Sequence, residues 1–95
     1  MRITRAAQAG SERKGDALVG VSPKPGGGLS VELAAKAITK KQFGAHIEAV
    51  AREAAGLEGV DSALIEIRDA GALDFTLRAR VRAAVRRAAR PEGEA

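Results

Sequence analysis

The segment Asp61-Ser62-Ala63-Leu64-Ile65-Glu66-Ile67-Arg68-Asp69-Ala70-Gly71-Ala72-Leu73-Asp74-Phe75-Thr76-Leu77-Arg78-Ala79-Arg80-Val81 changes its hydrophobic period partway along. Up to Arg68 the side chains alternate, Ile65 and Ile67 to one side, Leu64 and Glu66 to the other, as in a strand. Asp69-Ala70-Gly71 supplies a turn. Beyond it Leu73, Leu77, Val81, Ala84, Val85 and Ala88 recur at helical spacing, which predicts a helix from about Leu73 to Arg90, stopped by Pro91. Asp74 falls in its first turn, where the helix dipole favours an acid.

Upstream the same reasoning gives the remaining elements. Ala17-Leu18-Val19-Gly20-Val21-Ser22 reads as a short strand, closed by the turn Pro23-Lys24-Pro25-Gly26-Gly27-Gly28. Leu29-Ser30-Val31-Glu32-Leu33 alternates again, and the two strands are expected to form an antiparallel hairpin. Thr39 is the expected N-cap of a helix over roughly Lys40 to Ala55, with Phe43, Ile47, Val50 and Ala54 on one face and Gly56 as its stop. Residues 1–15 read as a loose, flexible arm and residues 91–95 as a frayed tail. The predicted fold class is α+β, a small two-layer sandwich of order ββαβα, with the helices on one face of a short sheet.

The chain has 95 residues, enough for one domain spanning 1–95 with a single core. That core is built of Ala, Val, Leu and Ile, so Phe43 and Phe75, the only aromatics, are expected to anchor it. Without cysteine there is no disulfide, no thiolate nucleophile and no thiolate metal site. No apolar run approaches the roughly 20 residues of a membrane span, and the N-terminus is a poor signal peptide, so the expected compartment is the cytoplasm.

Sixteen Lys and Arg against twelve acids give a net charge of +4. Nucleic acid is an unlikely partner, because the chain lacks Tyr and Trp for base stacking and shows no reading motif. Arg78, Arg82 and Arg86 stand four apart on the last helix. They are either a solvated face or a docking surface for an acidic partner or a phosphate-bearing group. His46 is the only histidine and has no cysteine or second histidine to complete a metal site, so a structural role is expected. Asp16, Asp69 and Asp74 each adjoin glycine or open an element, and no two are placed for acid–base work. Gly26-Gly27-Gly28 leads into a strand rather than a helix and is no phosphate loop. Nothing here is a self-sufficient active site, and a non-catalytic protein is expected.

Several stretches, taken in order, resemble the acyl carrier (gamma) subunit family of citrate lyase. They are Ala9-Gly10, Gly15-Asp16 with the apolar strand after it, Lys41-Gln42-Phe43-Gly44, and Gly71-Ala72-Leu73-Asp74 through Leu77-Arg78-Ala79-Arg80. The resemblance implies a carrier holding a 2'-(5''-phosphoribosyl)-3'-dephospho-CoA arm through a phosphodiester to a serine of the N-terminal loop. It also implies the partners: the alpha (transferase) and beta (lyase) subunits of citrate lyase, between which acetyl and citryl thioesters pass, and a prosthetic-group transferase. The physical logic is tethering, since a covalent arm raises the local concentration of thioester at two sites.

Read without gaps over Gly10-Ser11-Glu12-Arg13-Lys14-Gly15-Asp16, the resemblance puts Lys14 where the family has its attachment serine. An ammonium with an ordinary pKa of about 10.4 cannot form the phosphodiester a hydroxyl forms. Ser11, about 10 Å away along an extended loop, is the nearest hydroxyl and the attachment candidate. The resemblance therefore leaves a carrier modified at Ser11, or a carrier-incompetent structural or regulatory paralogue. The carrier of malonate decarboxylase shares the Gly-Asp feature and is a further alternative, as is a small basic nucleic-acid-binding protein.

Overall fold

A computed structural model describes residues 1–89. The elements are β1 (Ala7–Gly10), β2 (Ala17–Ser22), β3 (Leu29–Ala34), α1 (Ala37–Leu57), β4 (Ala63–Asp69) and α2 (Asp74–Ala88). The ββαβα order and the α+β class hold, with β1 preceding them. Part of the segment expected as a loose arm is thus a strand, paired antiparallel with β2 from Ala7↔Val21 to Gly10↔Leu18. Ile3 is buried and bridges Ala89, while Thr4 and Arg5 N–H donate to Ala88 O and satisfy the last carbonyl of α2.

The sheet order is β1-β2-β4-β3. The expected hairpin does not form: β4 lies between β2 and β3, antiparallel to the first and parallel to the second. Two interior flanks suit the strand that carries Ile65 and Ile67, both essentially inaccessible to solvent. Geometry permits the detour. The six residues Pro23 to Gly28 reach up to about 20 Å, whereas skipping one strand needs about 10 Å. The parallel β3–β4 pair requires a crossover, and α1 supplies it.

Ala9, Ala17, Val19, Val21, Ala63, Ile65 and Ile67 make the buried sheet face. Ile47, Val50, Ala51, Ala54 and Ala55 of α1, with Leu77, Val81, Ala84, Val85 and Ala88 of α2, cover it. Both helices lie on this face, as predicted. Alanine is the commonest residue in this buried set.

Several expected details differ. Phe43 and Phe75 do not anchor the core but are 53% and 69% exposed, and Leu73 is exposed as well. Thr39 is not the N-cap: α1 starts at Ala37 with Lys36 as cap, directly after β3 ends. The helix also runs past Gly56 to Leu57. Gly59, at φ +74°, ends it, with Gly59 N–H donating to Gly56 O and Val60 N–H to Ala55 O. This is a Schellman stop three residues later than expected. Helix α2 ends at Ala88, because Ala89 is extended and paired with Ile3. Arg90, the Pro91 stop and the tail over 92–95 lie outside the described residues.

Candidate functional site

The loop between β1 and β2 is fixed by one carboxylate. Asp16 Oδ1 accepts from Arg80 Nε at 2.8 Å and from the N–H of Ala17 at 2.7 Å. Its other oxygen accepts from Ser11 Oγ at 2.8 Å and is 3.4 Å from a terminal nitrogen of Arg80. The Arg80 guanidinium, followed by the Ser11 hydroxyl and the Ala17 amide, holds the Asp16 carboxyl well below the ordinary carboxylate range. Reciprocally, Asp16 raises the pKa of Arg80.

Backbone contacts complete the loop. Gly15 N–H donates to Ala70 O at 2.7 Å, and Ala70 N–H donates to Asp16 O at 3.0 Å. Gly10, at φ +91°, has no room for a side chain: a Cβ there would lie 1.9 Å from Ala17 O and 2.9 Å from Arg80 Cδ. Glu12 reaches Arg68 at 3.3 Å.

The two site residues of the loop behave differently. Ser11 Oγ is half-buried, gives its proton to Asp16 and accepts weakly from Arg13 N–H at 3.3 Å. Lys14 is exposed and lines a groove of about 700 Å³ together with Lys36, Phe43, His46, Ala72 and Asp74. A phosphodiester needs a hydroxyl, and within Ser11 to Asp16 only Ser11 has one. Lys14 offers no hydroxyl, so a phosphodiester to this loop would need Ser11. Attachment requires the Ser11 hydroxyl to leave Asp16, whose lowered pKa makes it a weak base.

Arg78, Arg82 and Arg86 line the seam with α1. Arg78 Nε lies 3.3 Å from Glu53, Arg82 Nε donates to Glu58 Oε1 at 2.7 Å, and Arg86 contacts the same oxygen at 2.9 Å. Glu58 is nearly enclosed, and these arginines, Arg82 foremost, lower its pKa. The seam continues at His46, whose Nε2 is 2.8 Å from Asp74 Oδ2, an exposed contact between the two helices. The first partners of the arginine stripe are thus acids of the same chain.

The sequence carries both ends of the Asp16–Arg80 pair, in Gly15-Asp16 and Leu77-Arg78-Ala79-Arg80, but the link between them, 64 residues apart, appears only in three dimensions. Among the described residues no group of three or more His, Cys, Asp or Glu could hold a metal ion. No described helix is long and apolar enough to cross a membrane.

Residues 4–88 match the acyl carrier family model described as malonate decarboxylase delta subunit (MdcD). The citrate lyase acyl carrier protein 2 of Salmonella typhimurium is 43% identical over 89 residues, covering 94% of this chain and 90% of that one. The citrate lyase acyl carrier protein of Streptococcus equi subsp. equi is 45% identical, covering 94% and 85%. That of Rhodopseudomonas palustris is 44% identical over 88 residues, covering 93% and 88%. Matched over nearly its whole length, the chain belongs to the acyl carrier family that includes the citrate lyase acyl carrier proteins and the malonate decarboxylase delta subunit.

Proposed function

We propose that this protein is the acyl carrier subunit of a citrate lyase-like complex, with the loop Ser11–Asp16 as its attachment segment and Ser11 as the residue that takes the phosphoribosyl-dephospho-CoA arm. The observation that carries this reading is the clamp. A carrier must present one loop to several partners while keeping its base rigid, and Asp16, gripped by Arg80, anchors the loop to the last helix, whose other face is buried on the sheet. When bound, such an arm supplies a terminal thiol that holds an acyl group as a thioester. The chain itself provides the tether point, the exposed loop and a compact body; it contributes no acid, base or nucleophile to acyl transfer. Partners in this reading are the transferase and lyase subunits and the enzyme that attaches the arm, in the cytoplasm.

A second reading is favoured by one observation: Lys14 holds the exposed, groove-facing position, while the Ser11 hydroxyl is engaged with Asp16. On that reading the chain is a carrier-incompetent structural or regulatory subunit, docking through its helices. Intact mass after co-expression with a competent prosthetic-group transferase separates the two. An adduct that disappears in Ser11→Ala supports the carrier with its arm at Ser11. An unmodified mass, restored to an adduct by Lys14→Ser, supports the second reading and refutes the first.

A further inference from the structure

We propose that the outer edge of β3 is a docking site for an extended segment of a partner protein with alternating apolar and basic residues, added to the sheet as a further strand. The sheet order leaves two edge strands, β1 and β3. They differ. Strand β1 has only four residues, and a side chain of α2 already holds its backbone, Arg87 Nη1 donating to Gln8 O at 2.8 Å. Strand β3 has six residues in unbroken register with β4 and contains no proline, no lysine and no bulge. The first lysine after it, Lys36, lies two residues beyond its end. An edge without those guards is a template for another strand.

The register shows which groups the edge offers. Ala63 N–H donates to Gly28 O at 3.1 Å, and backbone groups alternate in direction along a parallel ladder. Ser30, Glu32 and Ala34 therefore turn N–H and C=O toward β4, while Leu29, Val31 and Leu33 turn theirs outward. Arg52 donates to one of these outward groups, Leu29 O, at 3.0 Å. Those of Val31 and Leu33 have no partner among the described residues. A row of alternating donors and acceptors is matched by an extended backbone and not by a helix.

Side chains on the two faces select the segment. On the helix side Leu29, Val31 and Leu33 are half-buried against the core, so apolar residues on that side of an added strand would extend the core. On the open side Glu32 and Glu66 are direct neighbours in register, and both are exposed. Neither has an ion-pair partner among the described residues. Strands lie about 4.8 Å apart, and like charges side by side on them are unfavourable. Arg68, farther along the same face, is engaged by Glu12. A cation on the added strand beside Glu32 relieves the repulsion. A second copy does the reverse, because β3 against β3 joins Glu32 and Glu66 of both molecules on one face. The proposal goes beyond the carrier reading and holds whether or not Ser11 bears an arm.

Titration of the full chain with a capped peptide of alternating Lys and Val, as long as β3, tests it by backbone amide NMR. A peptide of alternating Glu and Val is titrated in parallel. The expected result is a saturable shift centred on Leu29, Val31 and Leu33, slowed amide exchange at Val31 and Leu33, and tighter binding of the lysine peptide. Glu32→Lys should weaken that peptide roughly fivefold and remove its advantage over the glutamate peptide. Glu32 is exposed, so unchanged resonances in β1 and β2 verify the fold. No saturation at millimolar peptide, shifts centred on the helices, equal affinity for the two peptides, or indifference to Glu32→Lys would each overturn the proposal. Protection of Val31 and Leu33 that grows with protein concentration in the absence of peptide would make a second copy the occupant, and would overturn it as well.

Discussion

Arg80 Nε donates to Asp16 Oδ1 at 2.8 Å, so the last helix holds the loop between the first two strands. The same carboxylate binds the Ser11 hydroxyl, which makes the position of Ser11 depend on a residue in α2. Replacing Arg80 by Gln keeps a donor but removes the charge and the fork. Hydrogen exchange should then accelerate on the order of tenfold at Gly15, Asp16 and Ala70, and stay unchanged in β4. Equal acceleration throughout the sheet would show that Arg80 supports the whole fold and not the loop.

Acid stability depends on two carboxylates whose pKa values are lowered on folding, Asp16 by Arg80 and Ser11, Glu58 by Arg82 and Arg86. A lowered folded-state pKa means that the unfolded chain binds the proton first as pH falls. The contribution is therefore complete above the ordinary carboxylate range, from about pH 5 upward, and is lost as pH drops toward each folded value. Thermal melts should be level between pH 5 and 8 on account of these groups and decline steeply below pH 4. Asp16→Asn should lower the plateau and flatten the decline. A decline as steep as in the parent would remove Asp16 from this role.

Gly10 and Gly15 both have positive φ, yet they face different surroundings. An added Cβ at Gly10 would collide with Ala17 O at 1.9 Å, whereas at Gly15 nothing lies within 4 Å. Gly15→Ala meets only the backbone penalty, about 1 kcal/mol. Gly10→Ala adds a clash with backbone and with Arg80, for about 3 kcal/mol in total. In thermal melts the expected losses are roughly 5 °C and roughly 15 °C. Indistinguishable losses would contradict the tight approach of β1 to the clamp.

How legible the fold was depends on whether a pattern is local. Ile65 and Ile67 announced β4, and Leu77, Val81 and Val85 announced the buried face of α2, because period and burial coincide there. The neighbour of β3 was not legible. Alternation says which side of a strand is apolar and nothing about which strand lies beside it. The short, alanine-rich β1 carries almost no side-chain signal, and its pairing comes from backbone bonds to β2. The loop residues Ser11 and Lys14 were identified through resemblance. Their environments, one hydroxyl tied to Asp16 and one ammonium in a groove, follow from the meeting of β1, β4 and α2.

The two aromatics give the sharpest contrast between pattern and packing. Phe43 continues the stripe of Ile47 and Val50, but it sits where α1 has outrun the sheet, so it is left 53% exposed. Truncating it removes little buried area, and Phe43→Ala should change stability by less than about 0.5 kcal/mol. Ile65 is wholly buried on the central strand, opposite Val21 and Val31. Ile65→Ala deletes several buried carbons and leaves a cavity beneath two close-packed helices, at a cost of about 3 kcal/mol. Urea denaturation of both variants checks the ordering. If Phe43→Ala proves the more costly, its ring is buried against the body of the protein in solution, and the open groove described above does not exist.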